Sequence, residues 1–364
     1  MPASNNYDPQ RLTLALEFKG WTQKELASRL ELRPSYVSML VHGRAELTDR
    51  LVERIGFIAG LPVSFFTKPA PLVDVGSLTF RKRANARNIG ALTSEWALLT
   101  DAIAHLRRTC PISDCAPWLD SLAPSARVDA DMVERIALDT RRSWGLADDE
   151  PIRNLCGNLD RQGIIVAATV NQLEKGDGLS CPARLWNQPV VGLCAAGKPG
   201  DRMRFTLAHE LGHLILHRDR EPERVEDEAN RFAGALLFPR TAAAQELHAD
   251  MTLNDFAHVK ARWGVSVAAL TRRALDLDVI DGDRYRSLQI QLSNRGWRTR
   301  EPVEVEPEDA SLLAQMAAWS FGEALSPDYL TVRADMVEDT LGVPFTTINQ
   351  WCWNRLHESI GTTA

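Results

Sequence analysis

Two histidines four residues apart on an apolar segment constrain this chain more than any other feature. The run Arg204–His217, RFTLAHELGHLILH, contains His209-Glu210-Leu211-Gly212-His213. An α-helix turns about 100° per residue, so positions i and i+4 leave one face and both imidazoles can share one metal ion. Glu210 follows the first histidine directly, where its carboxylate can reach a water on the same metal. Phe205, Leu207, Ala208, Leu211, Leu214, Ile215 and Leu216 give the helix the apolar body expected of one sunk in a core. Pro199 and Gly200 end whatever precedes it.

A catalytic zinc takes three protein ligands and keeps a fourth position open for water. The run EDEANRFAGALLFP, from Glu226, reads as a second helix with Ala229, Phe232, Ala233, Leu236 and Leu237 inward. Glu228 opens its apolar part and is the expected third ligand. Glu226 and Asp227 read as solvated residues that favour the helix dipole. His217 drifts further round the first helix, so it reads as a histidine beside the site or at the surface rather than a ligand. Arg202 and Arg204 read as surface charge before the helix, with substrate or oxyanion binding as the other reading. Two histidines, a carboxylate and an open position point to zinc over manganese or iron. Non-haem iron oxygenases use the same donor set, but the helical spacing argues against them.

These two runs resemble the ImmA/IrrE family of zinc metallopeptidases. The resemblance extends from about Val128 to Pro302. It takes in WGL at Trp144–Leu146, QGIIVAATV at Gln162–Val170 and PVVGL at Pro189–Leu193, then WGVSVAALTRRA at Trp263–Ala274 and RGWRTREP at Arg295–Pro302. It implies one Zn2+ per chain held by His209, His213 and Glu228, with Glu210 as general base. It also implies a protein substrate, a regulatory protein often of the repressor kind, cleaved in stress or mobile-element responses.

Upstream, Asp8–Pro69 reads as a compact helical unit. Gln10–Lys19 stops at Gly20. Thr22 and Glu25 form a capping box for a short helix, Gln23–Leu30. A turn at Glu31–Arg33 leads to Pro34 at the first position of a third helix, Pro34–Val41, and a fourth spans Thr48–Ala59. Two short helices across such a turn make a helix-turn-helix, whose second member enters the major groove of double-stranded DNA. The run TQKELASRLELRPSYVSMLVHGR is similar to the Xre (lambda-repressor-like) family, over about Leu12–Phe66. The similarity implies Gln23 on phosphate and Pro34, Ser35, Tyr36 and Met39 facing the groove, with Arg33 and Arg44 nearby; it also implies a homodimer on two half-sites. Residues 1–70 carry nine Lys and Arg against seven Asp and Glu, a net of only +2. Charge therefore leaves open a module that pairs with another protein instead.

The expected fold class is mainly α with a small β-sheet (α+β). Its domains are a four- or five-helix lambda-repressor-like unit (8–69), a helical linker (70–127), a zincin-like metallopeptidase domain (128–300) and a helical C-terminal domain (310–360). Within the linker, Lys68–Pro71 is a stiff exit, and Phe80–Arg87 (FRKRANAR) is either a contact to DNA backbone or a solvated charge run. Thr93–Thr109 reads as an amphipathic helix and Trp118–Leu122 as a second. In the peptidase-like region, Asp131–Trp144 reads as a helix, and Ile164–Val170, Ala183–Trp186 and Val190–Leu193 as strands. Val190–Leu193 is either an edge that accepts an extended substrate or a plain core strand. Glu301–Asp309 (EPVEVEPED) reads as an acidic linker, and Ala310–His357 as helical, its Arg333–Arg355 part laid out like a second helix-turn-helix that packs or regulates rather than reads DNA.

Composition excludes little. A net charge of −6 argues against a general polyanion binder, and six scattered cysteines without a CxxC suit reduced, mostly core thiols. The polar start MPASNNYDPQ carries no apolar signal core, and no apolar run reaches membrane-spanning length, so a cytoplasmic protein without membrane contact is expected. The reading is a DNA-binding transcriptional regulator with a zinc endopeptidase domain. The alternative is a non-proteolytic transcription factor or toxin–antitoxin component whose metal site is structural or sensory.

Overall fold

The computed structural model describes residues 7–71, 86–112, 114–124, 128–171, 178–181, 189–193, 198–217, 224–325 and 330–358. It is mainly helical, as expected, with two small sheets where one was expected. The chain forms two compact units, each built from separated stretches of sequence. Among the described residues no helix is long and apolar enough to cross a membrane.

The first unit comprises residues 1–112, 167–176 and 311–364. It opens with α1 (Pro9–Lys19), α2 (Gln23–Leu30), α3 (Pro34–Val41), α4 (Asp49–Ala59) and α5 (Val63–Thr67). Local chemistry sets the boundaries. Asp8 caps α1 by accepting from the Gln10 amide, and Gly20 closes it in the left-handed region. The Thr22–Glu25 capping box is present. Glu31 then ends α2 at φ 56° and Pro34 starts α3, which makes the tight turn between them. Leu12, Leu26, Leu30, Val37, Leu40, Val52, Ile55 and Phe65 are buried between these helices. Each such side chain is worth roughly 1.5–3 kcal/mol relative to exposure. The Lys68–Pro71 exit is pinned, because buried Arg11 donates to the Pro69 carbonyl at 2.9 and 2.6 Å and lies 3.6 Å from Asp101.

Asp101 belongs to α6 (Ala86–Thr109), which starts seven residues before the expected Thr93. Trp96, Leu98, Leu99, Ile103 and Leu106 are buried as predicted. The basic run Phe80–Arg87 lies outside the residues whose side chains are described. The C-terminal part corrects one expectation, since it is not wholly helical. α16 (Leu312–Phe321), α17 (Ala334–Leu341) and α18 (Phe345–Trp351) are interleaved with strands β4 (Gly322–Leu325), β5 (Leu330–Val332) and β6 (Leu356–Glu358), in the order β4-β5-β6. Strands of three or four residues alternate too briefly to show a period of two in the sequence. α17 packs on α5, and the Ser64 hydroxyl donates to the Glu338 carbonyl at 2.8 Å.

One buried carboxylate ties this unit together. Glu95 on α6 accepts from the amides of Val170 at 2.6 Å and Asn171 at 2.7 Å, and from the Trp351 indole at 2.8 Å. Burial pushes its carboxyl above the ordinary glutamate range despite these three donors.

The second unit comprises residues 113–166 and 177–310. Its helices are α7 (Ala116–Leu122), α8 (Ala130–Ser143), α9 (Leu155–Arg161), α10 (Gly200–Leu216), α11 (Val225–Leu237), α12 (Arg240–Glu246), α13 (Leu253–Trp263), α14 (Val267–Asp276) and α15 (Gly282–Asn294). Its strands are β2 (Gly178–Cys181), β3 (Val190–Leu193) and the first half of β1 (Ile165–Ala168), in the order β1-β3-β2. This corrects the edge reading of Val190–Leu193. That strand is central and buried along its length, as its unbroken apolar run permits, and β2 pairs with it antiparallel. The predicted strand Ala183–Trp186 lies outside the described residues.

The acidic run is no solvated linker either. Glu301 binds the Lys260 ammonium at 2.7 Å and the Val267 amide at 2.9 Å, while Asp201 takes the other side of Lys260 at 2.8 Å. Glu308 binds the Arg204 guanidinium and accepts from the Cys156 amide at 2.9 Å. Arg204 is thus a buried anchor, which also donates to the Ile152 carbonyl at 2.6 Å, and the reading of it as surface charge is corrected. The run forms a strap over the start of α10, where the Gly200 amide donates to the Val305 carbonyl at 3.0 Å. A Cβ on Gly200 would lie 2.3 Å from the Glu306 carbonyl oxygen, so only glycine fits beneath the strap. Gly200→Ala should destabilise the protein by about 1–3 kcal/mol, the usual cost of forcing atoms into a packed site. Chemical denaturation checks this.

Candidate metal centre

α10 carries the histidine pair and α11 lies along it. The approach is close because of Gly212, the fourth residue of the motif. A Cβ there would meet the Phe232 ring at 3.1 Å and the Ala229 Cα at 3.3 Å. Absence of that carbon lets the first turns of α11 reach the histidines.

His209 and His213 turn their Nε2 atoms toward one another, 3.0 Å apart. Glu226 on α11 places one carboxylate oxygen 3.6 Å from His209 Nε2 and the other 3.6 Å from His213 Nε2. Among the described residues, these three form the group that could hold a metal ion. Two ligands of a tetrahedral zinc, each about 2.1 Å from it, sit about 3.4 Å apart, so the donor spacing suits that ion. The far nitrogen of His209, Nδ1, is 2.9 Å from Asn230 Oδ1. Taken as a donor to that oxygen, Nδ1 carries the ring proton and Nε2 is left as a bare donor atom for a metal.

The carboxylate arrangement differs from the sequence expectation. Glu228 does not join the group; its Oε2 lies 3.1 Å from His217 Nε2. Helix geometry explains this. Residues two apart on a helix point about 200° apart, so Glu226 and Glu228 cannot face one point together. Glu226 and Asn230 are four apart and share a face, and both meet His209. That spacing was in the sequence, and it was the signal by which both residues could have been found. Glu226 remains 49% exposed, in keeping with its reading as a solvated residue, but its carboxylate still turns to the histidines. His217 is only 7% exposed and sits 2.9 Å from His213 through their Nδ1 atoms, so it lies beside the site and not at the surface. Glu210 is buried in α10 next to His209.

In the first unit, the residues expected at DNA occupy the second helix of the pair and its ends. Arg33, Pro34, Ser35, Tyr36, Met39 and Arg44 are exposed, while Val37 and Leu40 of the same helix are buried. Gln23 is half-buried at the first position of α2. Tyr36 and Met39 are exposed beside buried Val37 and Leu40, so this helix has one face in the core and one in solvent.

Residues 159–275 match the peptidase M78 family, the IrrE N-terminal-like domain. Residues 15–55 match the helix-turn-helix family. No curated protein matches the chain. The chain is thus similar to a helix-turn-helix domain in its N-terminal part and to an IrrE N-terminal-like domain in its middle.

Proposed function

We propose that this protein is a DNA-binding transcriptional regulator carrying a zinc-dependent endopeptidase, which cleaves a regulatory protein of the repressor kind. The observation that carries the reading is the convergence of His209 Nε2, His213 Nε2 and the Glu226 carboxylate. His209, His213 and Glu226, in place of the expected Glu228, would hold one zinc. Bound zinc supplies Lewis-acid polarisation of the scissile carbonyl and acidifies a water. Glu210, next to His209 on the same helix, would take a proton from the attacking water on its carboxylate and return it to the leaving amine. Gly212 and Asn230 maintain the donor geometry, one by close packing and one by hydrogen bonding.

The exposed face of α3, with Gln23 at the start of α2, is the proposed DNA contact. Arg33 and Arg44 suit phosphate or base edges, and Ser35, Tyr36 and Met39 would lie toward the groove. A homodimer on two half-sites fits this mode of binding, as does a cytoplasmic location. The peptidase would then act where its own operator, or a DNA-bound substrate, holds it.

The test is metal analysis of the full chain beside His213→Ala, with each protein incubated with regulators encoded next to its gene. The expected result is one zinc per chain, lost in His213→Ala, and a neighbour cut only by the unaltered protein. Zinc bound and operator bound, with no neighbour cut, would replace the peptidase with a metal-bearing transcription factor.

A further inference from the structure

Glu228 and His217 lie outside the three donors, yet they are chained to one of them. Glu228 Oε2 is 3.1 Å from His217 Nε2, and His217 Nδ1 is 2.9 Å from His213 Nδ1. Both side chains are mostly buried, Glu228 at 15% and His217 at 7% exposure. The direction of each bond follows from what each group can do. An ionised carboxylate only accepts, so His217 Nε2 is the donor. A neutral imidazole that carries its proton on Nε2 has a bare Nδ1, which only accepts. The proton between the two rings therefore sits on His213 Nδ1. His213 Nε2 is left bare, turned toward His209 Nε2. Asn230 does the same for His209 from the other side.

We infer that Glu228 and His217 are positioning residues, a carboxylate–imidazole relay that fixes the tautomer and ring orientation of His213 and thereby sets the affinity for metal. The inference rests on the reading of His209, His213 and Glu226 as a metal centre. It gives both residues a role that the three donors do not supply. The helical frame supports it, because His217 caps α10 four residues after His213, and the two meet Glu228 and Glu226 of α11 respectively. Partners of this kind are typically worth 10–100-fold in metal affinity, since a ligand free to rotate or to carry its proton on the wrong nitrogen must be reset before it binds.

The experiment measures zinc affinity of the full chain by competition with a chromophoric chelator, and the visible spectrum of the cobalt-loaded protein. His217→Phe and Glu228→Ala should each weaken zinc by roughly 10–100-fold, and the double variant should be no weaker than the worse single one. Glu228→Gln keeps an amide oxygen that accepts from His217, so it should recover most of the loss. The cobalt spectrum should keep its four-coordinate intensity in all of them, and lose it in Glu226→Ala. Should Glu228→Ala unfold, His217→Phe and the near-isosteric Glu228→Gln carry the same decision. Unchanged affinity in His217→Phe would overturn the relay. So would a Glu228→Gln protein that loses cobalt intensity while Glu226→Ala retains it, because Glu228 would then be the ligand. Failure of the unaltered chain to bind either metal is a different result, and it would remove the metal centre itself.

Discussion

Replacement of Glu210 by glutamine should leave zinc in place and lower hydrolysis of the protein substrate by about 10²–10⁴-fold, the usual contribution of a positioned general base. Glutamine has nearly the same shape, so packing of α10 is kept, but its amide cannot take up a proton. Glu210 is buried within the helix that carries both histidines, so its position relative to them is set by α10 alone. Metal content and cleavage should therefore separate, with the first unchanged and the second lost. His213→Ala should lose both. If Glu210→Gln cut its substrate at the unaltered rate, another group would be the base.

The second large effect lies in the first unit. Glu95→Ala should destabilise it by about 3 kcal/mol, because a buried indole N–H and two part-buried backbone amides lose their acceptor. Thermal unfolding followed by tryptophan fluorescence reads this directly. The pH dependence has a definite sign. Burial raises the Glu95 carboxyl in the folded protein above its unfolded value. The folded state then holds the proton to higher pH than the unfolded one. The associated stability is complete below the ordinary glutamate range and is lost as pH climbs through the raised value. A Glu95→Gln protein should lack that part of the slope. A slope of unchanged size in Glu95→Gln would assign the pH dependence to another group.

Where a helix carried its own start and stop signals, the sequence was legible. The Thr22–Glu25 capping box, Gly20 and Pro34 placed the first helices to within a residue, because caps act over three or four positions. The histidine pair was legible for the same reason, since i and i+4 are neighbours in any helix. The carboxylate that faces them is harder to read, because three acids at the start of α11 differ only in rotation about its axis and only the i,i+4 pairing of Glu226 with Asn230 separates them. That rotation is set by how α11 seats on Gly212 and not by composition. The acidic strap misled for a related reason. A run of five acids reads as solvated until its partners are known, and Lys260 and Arg204 are 41 and 104 residues away from the acids they bind. β3 was mistaken for a possible edge because a short apolar run does not reveal what pairs on either side of it.

The strap has a practical corollary for anyone moving the second unit into another protein. A graft that stopped after α14 would carry the histidines and their acidic partners. It would also strip buried Arg204 of Glu308, and leave buried Lys260 with Asp201 but not Glu301. The Gly200 amide would lose its acceptor at the very start of the histidine helix. The transplantable piece therefore runs through Asp309, and its last nine residues guard the first turn of α10 from a hundred positions downstream.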